Sequence, residues 1–283
     1  MIDFLVFGST GYLGSHNIKH LNKQEYTYAI SSSRAENKKD IEYDLDIIKP
    51  KYVICAVGLT GTPNIGWFED HKIEGIQTNV LGIMNIVDAC YVRNIHITIY
   101  GSAYIYDTTK EIMYCENDEP NNDKSYYCEL RIILEQLIKP YPNVLNLRIN
   151  LPISDDQHPK SLLSKLLKYD KITSELQSVT VLDDLLPLIS HMAEKGLVGT
   201  FNFVNPGTIT NQRILELYNE YVNPEKTKLI LNDISDSESK TNKQKNLKKN
   251  NGLNVNKLLS IFPHIPDIET SIIQLMKRIA NKQ

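Results

Sequence analysis

Two groups of residues in this chain have types and spacings that can do chemistry. The first is Gly8-Ser9-Thr10-Gly11-Tyr12-Leu13-Gly14, between the apolar run Ile2 to Phe7 and a helical pattern reaching Leu21. A glycine turn from strand into helix lets backbone approach a pyrophosphate closely, and the helix start offers free N–H groups and a positive dipole end. The spacing is GxxGxxG rather than GxGxxG, with the same mechanism. The second group is Tyr127 and Arg131, with the hydroxyl of Ser102 at the end of an earlier apolar run. Tyr127 and Arg131 stand at i and i+4 and so share one helix face. A free phenol titrates near about pH 10, so useful acid–base work needs an adjacent cation that favours the phenolate. Arginine supplies the charge and can reach a ribose hydroxyl, but it does not release a proton to a relay. A literal YxxxK at Tyr106 and Lys110 lies in a polar loop too soon after Ser102 and reads as chance.

The elements that must position these groups alternate. Ile2 to Phe7, Tyr26 to Ser31, Tyr52 to Val57, Ile95 to Tyr100 and Val144 to Ile149 read as strands. Asn79 to Val92 carries Val80, Ile83, Met84 and Val87 on one helical face, and Tyr126 to Ile138 is a second amphipathic helix stopped by Pro140 and Pro142. Strands alternating with helices predict a parallel, doubly wound sheet covered on both faces. Pro159 to Tyr169 reads as a helix with Leu162, Leu163, Leu166 and Leu167 inward. Ser235 to Asn251 is rich in Lys, Asn and Ser and reads as a mobile surface excursion. Gly252 to Met276 regains helical periodicity.

The end of the second strand chooses the cofactor. A carboxylate there holds a ribose hydroxyl, whereas a basic residue accommodates an extra phosphate. Ser31-Ser32-Ser33-Arg34 has hydroxyls and a guanidinium and no acid, which favours NADPH, with NADH possible. Asp44, Leu45, Ala56, Val57 and Gly58 complete the expected cofactor-binding set. The fold expected is α/β, a doubly wound Rossmann-type parallel sheet with a small C-terminal substrate-binding lobe. Residues 1–150 and 176–205 would form the NADP-binding domain, and 151–175 with 206–283 the lobe.

The bulk properties are permissive. Of 283 residues, 41% are hydrophobic and 23% charged, an ordinary globular composition with ample length for a core. A net charge of −3 argues against nucleic acid as the main partner. Cys55, Cys90, Cys115 and Cys128 form no CxxC pair and no metal-ligand spacing, and read as reduced thiols. No apolar run is long enough to span a membrane, and no basic leader precedes the first strand, so no membrane partner and a cytoplasmic setting are expected.

Longer segments carry a resemblance. Gly58-Leu59-Thr60-Gly61-Thr62-Pro63-Asn64-Ile65-Gly66-Trp67, Asp70-His71-Lys72, Thr78-Asn79-Val80-Leu81-Gly82, Leu147 to Ser154, Leu182 to Pro187 and Asn202 to Gly207 match along nearly the whole chain. It resembles the bifunctional nucleotide-rhamnose synthases (UDP-4-keto-6-deoxyglucose 3,5-epimerase/4-reductases), and more distantly the dTDP-4-dehydrorhamnose reductases, all extended short-chain dehydrogenases. The resemblance implies NADPH-dependent reduction of a UDP- or dTDP-linked 4-keto sugar at C4. It makes Ser102 the orienter of the carbonyl, Tyr127 the proton donor and Arg131 the stand-in for the family's Lys on the nicotinamide ribose. It places Asn79 in an active-site water network, Thr60, Asn64, Asn150 and Lys165 on the sugar-nucleotide side, and Asn205 near the nucleotide. For epimerisation the family uses a Cys, where this chain has Tyr104, and a Lys, matched by Lys165. The family's Arg after Thr-Gly is Thr62 here, so a related sugar such as an acetamido-deoxy hexulose stays open. So do a catalytically inactive NADP-binding regulatory subunit, and a dehydratase or 4-epimerase of the same superfamily. A homodimer is possible by analogy.

Overall fold

The computed structural model describes residues 2–62, 64–107, 112–169, 171–172, 175–223, 232–233 and 252–282. Pro63, Lys110 and the expected excursion Ser235 to Asn251 lie outside them. In chain order the strands are β1 (Phe4–Phe7), β2 (Tyr28–Ile30), β3 (Tyr52–Cys55), β4 (His96–Ser102), β5 (Met113–Tyr114), β6 (Val144–Ile149), β7 (Lys171–Ile172), β8 (Gly199–Asn202), β9 (Asn232–Asp233) and β10 (Gly252–Leu253). The helices are α1 (Tyr12–Lys23), α2 (Lys38–Ile48), α3 (Lys72–Ile76), α4 (Ile83–Tyr91), α5 (Tyr126–Ile138), α6 (Leu162–Leu166), α7 (Leu182–Leu185), α8 (Pro187–Glu194), α9 (Asn211–Tyr221), α10 (Asn256–Leu259) and α11 (Ile268–Ala280).

The chain divides into two compact units. The first holds residues 1–107, 119–148 and 186–201; the second holds 108–118, 149–185 and 202–283. The expected boundaries differ in four places: 108–118, 149–150, 176–185 and 202–205 fall in the second unit.

The first unit is built on a six-stranded parallel sheet in the order β2-β1-β3-β4-β6-β8. β1 pairs in parallel with β2 and β3, and β3 with β4. Phe4 to Phe7 are wholly buried, as a strand covered on both faces must be. One core cluster joins Leu5 and Phe7 to Ile41 and Leu45 of α2, Ile83 and Val87 of α4, and Leu134 of α5.

Several expected bounds move. α2 was not anticipated, because its apolar residues Ile41, Leu45 and Ile48 are set among charged ones; it ends at Lys49 in the left-handed region (φ 50°), just before Pro50. The helix expected from Asn79 begins earlier. α3 runs through a π-helical turn, Gln77–Gly82, into α4, so Asn79 lies inside the helix and is not its N-cap. β8 is a sixth strand that the sequence reading lacked. The bounds read for α5 and β6 hold, with Ser125 capping α5 by accepting from the Cys128 N–H.

The second unit buries Ile153, Leu163, Val181, Leu217, Ile272 and Leu275 in one cluster. β5 pairs with β10, and β7 with β9. The helix expected over Pro159 to Tyr169 shortens to α6. The stretch from Gly252 to Met276 is β10, one turn of α10, then a loop holding Pro263 and Pro266 before α11. A proline cannot supply the interior N–H that a single helix would need there.

Candidate active site

The glycine turn behaves as its composition requires. Gly8 is at φ +75°, and a Cβ there would stand 2.7 Å from the Ala56 carbonyl and 2.8 Å from the Val57 nitrogen. A Cβ on Gly14 would come within 2.1 Å of the Gly8 oxygen. The loop after β3 and the start of α1 therefore close on the turn as only glycine allows. α1 begins at Tyr12 with Gly11 at its N-cap, Gly11 makes no side-chain cap bond, and Thr10 beside it is exposed, so the helix start is open to an anion. These residues fit the pyrophosphate of a dinucleotide. Tyr12 is buried and Leu13 half-buried. Beneath the turn, Asn17 donates to the Tyr100 phenol at 2.6 Å, tying α1 to β4.

The loop after β2 presents Ser32 and Arg34 to solvent, while Ser31 and Ser33 both donate to the Asp44 carboxylate, at 2.5 and 2.7 Å. Asp44 and Leu45 were expected at the cofactor. Both lie in the middle of α2. Leu45 is core, and the Asp44 carboxylate, half-buried, accepts from the serine loop. From the other side Asn85 donates to the Ala35 carbonyl, and Thr78 to Glu36.

At the C-terminal end of β4, Ser102 is buried, and its oxygen accepts from the Tyr104 N–H at 3.2 Å, capping the short turn Ala103–Ile105. On α5, Tyr127 packs against Phe68, ring centroids 5.5 Å apart, and against Tyr104 at 6.5 Å. Arg131 is buried as well. Its Nε donates to the Tyr127 oxygen at 3.2 Å and its Nη1 to the Tyr100 carbonyl at 3.3 Å. A side chain at Gly58 would stand 3.9 Å from the Arg131 guanidinium and 3.5 Å from Asn79. Gly58 itself is exposed. A phenol, a fixed cation touching its oxygen and an open glycine edge thus converge at one sheet end.

Asn79 is wholly buried. Its Oδ1 accepts from the Leu59 N–H at 2.7 Å and its Nδ2 donates to the Leu59 carbonyl at 3.1 Å. Two such bonds contribute about 1 kcal/mol each and fix the loop that follows Gly58. This clasp uses one acceptor site and one donor of the Asn79 amide. Thr60 and Asn64 are exposed on the same loop; Asn64 accepts from the Gly66 N–H and caps the turn Ile65–Glu69. Trp67 is half-buried, and its ring stacks on His71 at 3.9 Å. Tyr104 is 44% exposed, with its carbonyl held by Asn122 and its phenol pushed up by burial and by the neighbouring Cys128.

Three expected residues belong to the second unit. Lys165 is an exposed residue on α6, where partial desolvation of its amine and the charge of Lys160 push the ammonium down. The Asn150 amide donates to the Ser178 carbonyl at 2.7 Å. Asn205 is fully buried, accepting from the Val181 N–H and donating to Asp184 and Ser271. It ties chain segments together. Among the described residues no group of three acidic, His or Cys side chains could hold a metal, and no helix is long and apolar enough to cross a membrane.

Sequence reasoning passed over Glu135 and Arg148, and set Tyr106 aside. The three form a buried hydrogen-bonded group. The i+4 step from Arg131 to Glu135 was the available signal.

Residues 2–187 match the family described as RmlD substrate binding domain. The chain is 34% identical over 281 residues to a bifunctional dTDP-4-dehydrorhamnose 3,5-epimerase/dTDP-4-dehydrorhamnose reductase of Arabidopsis thaliana, covering 97% of this chain and 92% of the relative. The crystal structure of the L780 UDP-rhamnose synthase from Acanthamoeba polyphaga mimivirus superposes with a TM-score of 0.87 at 31% identity, covering 98% of this chain and 99% of that one. A dTDP-4-dehydrorhamnose reductase from Bacillus anthracis, solved in complex with NADP, shares the fold with a TM-score of 0.80 at 15% identity, over 97% of this chain and 98% of that one.

Proposed function

The chain belongs to the RmlD substrate binding domain family, and from that premise we propose that it is an NADPH-dependent reductase of a nucleotide-linked 4-keto-6-deoxyhexose in rhamnose-type synthesis, with 3- or 3,5-epimerisation. The observation that carries the reading is the Arg131 contact to the Tyr127 phenol beside the exposed Gly58 edge. NADPH would be held by the turn Gly8 to Gly14 and by Ser32 and Arg34, and when bound it supplies the hydride.

The chain's own residues do the rest. Ser102 orients the carbonyl at C4 by hydrogen bonding, and Tyr127 gives its phenolic proton to the oxygen as the carbonyl becomes an alcohol. Arg131 stays charged and stabilises the phenolate left behind. The Tyr100 carbonyl holds that guanidinium in place, and Asn79 keeps the Leu59 backbone fixed. For inversion of a centre next to the ketone, Lys165, with its ammonium pushed down, suits the base, and Tyr104 suits the acid. The sugar nucleotide is UDP- or dTDP-linked, as in the relatives.

The test is NADPH oxidation with UDP-4-keto-6-deoxyglucose and its dTDP counterpart, with product stereochemistry read by NMR. A rhamno-configured product supports both activities. Reduction without inversion leaves a 4-reductase. Binding of NADPH with no reduction of either sugar defeats the reading and favours a regulatory subunit.

A further inference from the structure

Four residues beyond Ser102, the chain turns inward at Tyr106, whose ring is 1% exposed. Its phenolic oxygen accepts from Arg148 Nη1 at 2.8 Å, and the guanidinium carbon lies 5.3 Å from the ring centroid. Arg148 stands on β6. Its Nε lies 3.0 and 3.1 Å from the two Glu135 oxygens and its Nη2 lies 2.6 Å from one of them. Both side chains are buried, at 5% and 11% exposure. Glu135 is on α5, one turn beyond Arg131 and two beyond Tyr127. A Cβ on Gly101, the residue before Ser102, would stand 3.1 Å from Glu135 Oε1 and 2.6 Å from Asn146 Oδ1.

We infer that Glu135, Arg148 and Tyr106 form a buried strut that sets the Ser102 turn against the helix carrying Tyr127, making all three positioning residues for proton transfer. A buried ion pair is no more stabilising than a well-packed apolar pair of the same volume, because two charges lose their water. What it supplies is geometry. The planar guanidinium fork fixes the angle of the carboxylate and has a further N–H for the phenol. Its two anchors are the segment after Ser102 and the α5 face of Arg131. Arg131, through the Tyr100 carbonyl, ties the same helix to the same strand one turn earlier. With both ties in place, α5 cannot slide or roll along the end of β4.

The inference rests on the reductase reading and is tested in the full chain. Tyr106→Phe removes one oxygen. It should lower kcat for the 4-keto sugar by about ten- to a hundred-fold while KM and NADPH affinity stay within about two-fold, the signature of lost alignment rather than lost binding. Glu135→Leu with Arg148→Met replaces the pair by apolar residues. It should keep Tm near wild type and show the same fall in kcat, which a merely structural role would not give. Wild-type kcat in either variant overturns the strut. If the wild-type chain binds NADPH but reduces no 4-keto sugar, the functional reading fails separately. The strut is then read from the carbon-13 resonance of the Tyr127 ring. A shift in the double variant supports it, and an unmoved resonance overturns it.

Discussion

Arg131 reaches back one helical turn and donates from Nε to the phenolic oxygen of Tyr127, 3.2 Å away. Both are buried, so the cation acts where water screens it poorly. Tyr127→Phe should cost about 10²- to 10⁴-fold in kcat with NADPH binding intact, the range for a lost general acid. Arg131→Lys should retain more activity than Arg131→Gln, since only lysine keeps the charge. Equal rates for the two would show that charge is not what Arg131 contributes.

Tyr104 should act only as a proton donor. Its phenol is pushed up by burial, so it stays protonated through the neutral range. In deuterated water, Tyr104→Phe should stop inversion of the sugar carbons beside the ketone, while the Lys165 base still exchanges their protons for deuterium. Reduction of an already inverted 4-keto sugar should continue. Unchanged inversion would assign the acid elsewhere.

The two glycine edges should respond differently to alanine. Gly14→Ala places a carbon 2.1 Å from the Gly8 oxygen and should abolish NADPH binding while lowering Tm. Gly58→Ala meets only ordinary contacts, at 3.5 and 3.9 Å, and should fold like wild type. Its methyl would instead intrude on the exposed edge and raise KM. Calorimetry and steady-state kinetics on the pair separate the two roles.

Arg34 is exposed beside Ser32 and has a phosphate as its expected partner. Arg34→Ala should weaken NADPH by about ten-fold or more, the contribution of a charge-assisted contact, and leave NADH nearly unchanged. Equal loss for both cofactors would place the guanidinium away from the 2′-phosphate.

Asp184 should make the second unit sensitive to pH. Burial raises its carboxyl above the usual value of 3.8, despite hydrogen bonds from Ser271 and Asn205. A raised folded-state value means the stabilising contribution is complete below the unfolded value and is lost as pH rises through the folded one. Asp184→Asn should therefore gain Tm relative to wild type near neutral pH, and the gain should fade below about pH 4. A gain that instead grew on acidification would reverse the sign.

The sequence alone determined the alternation of strands and helices, the glycine turn, and the Tyr127–Arg131 pair. Each is local: a strand covered on both faces reads as an apolar run, a phosphate-binding turn needs glycine, and residues four apart share a helix face. It also carried the segments by which the family is legible. Tertiary structure decided what depends on residues far apart in the chain. The Asp44 carboxylate on α2 accepts from Ser31 and Ser33, thirteen and eleven residues earlier. Asn79 is spent on Leu59, twenty residues earlier, and Asn205 on Val181, Asp184 and Ser271. Tyr106 and Arg148, forty-two residues apart, meet only because β4 and β6 are neighbours in the sheet. A buried polar side chain takes whatever partner the packed chain brings to it, and no local pattern records that choice.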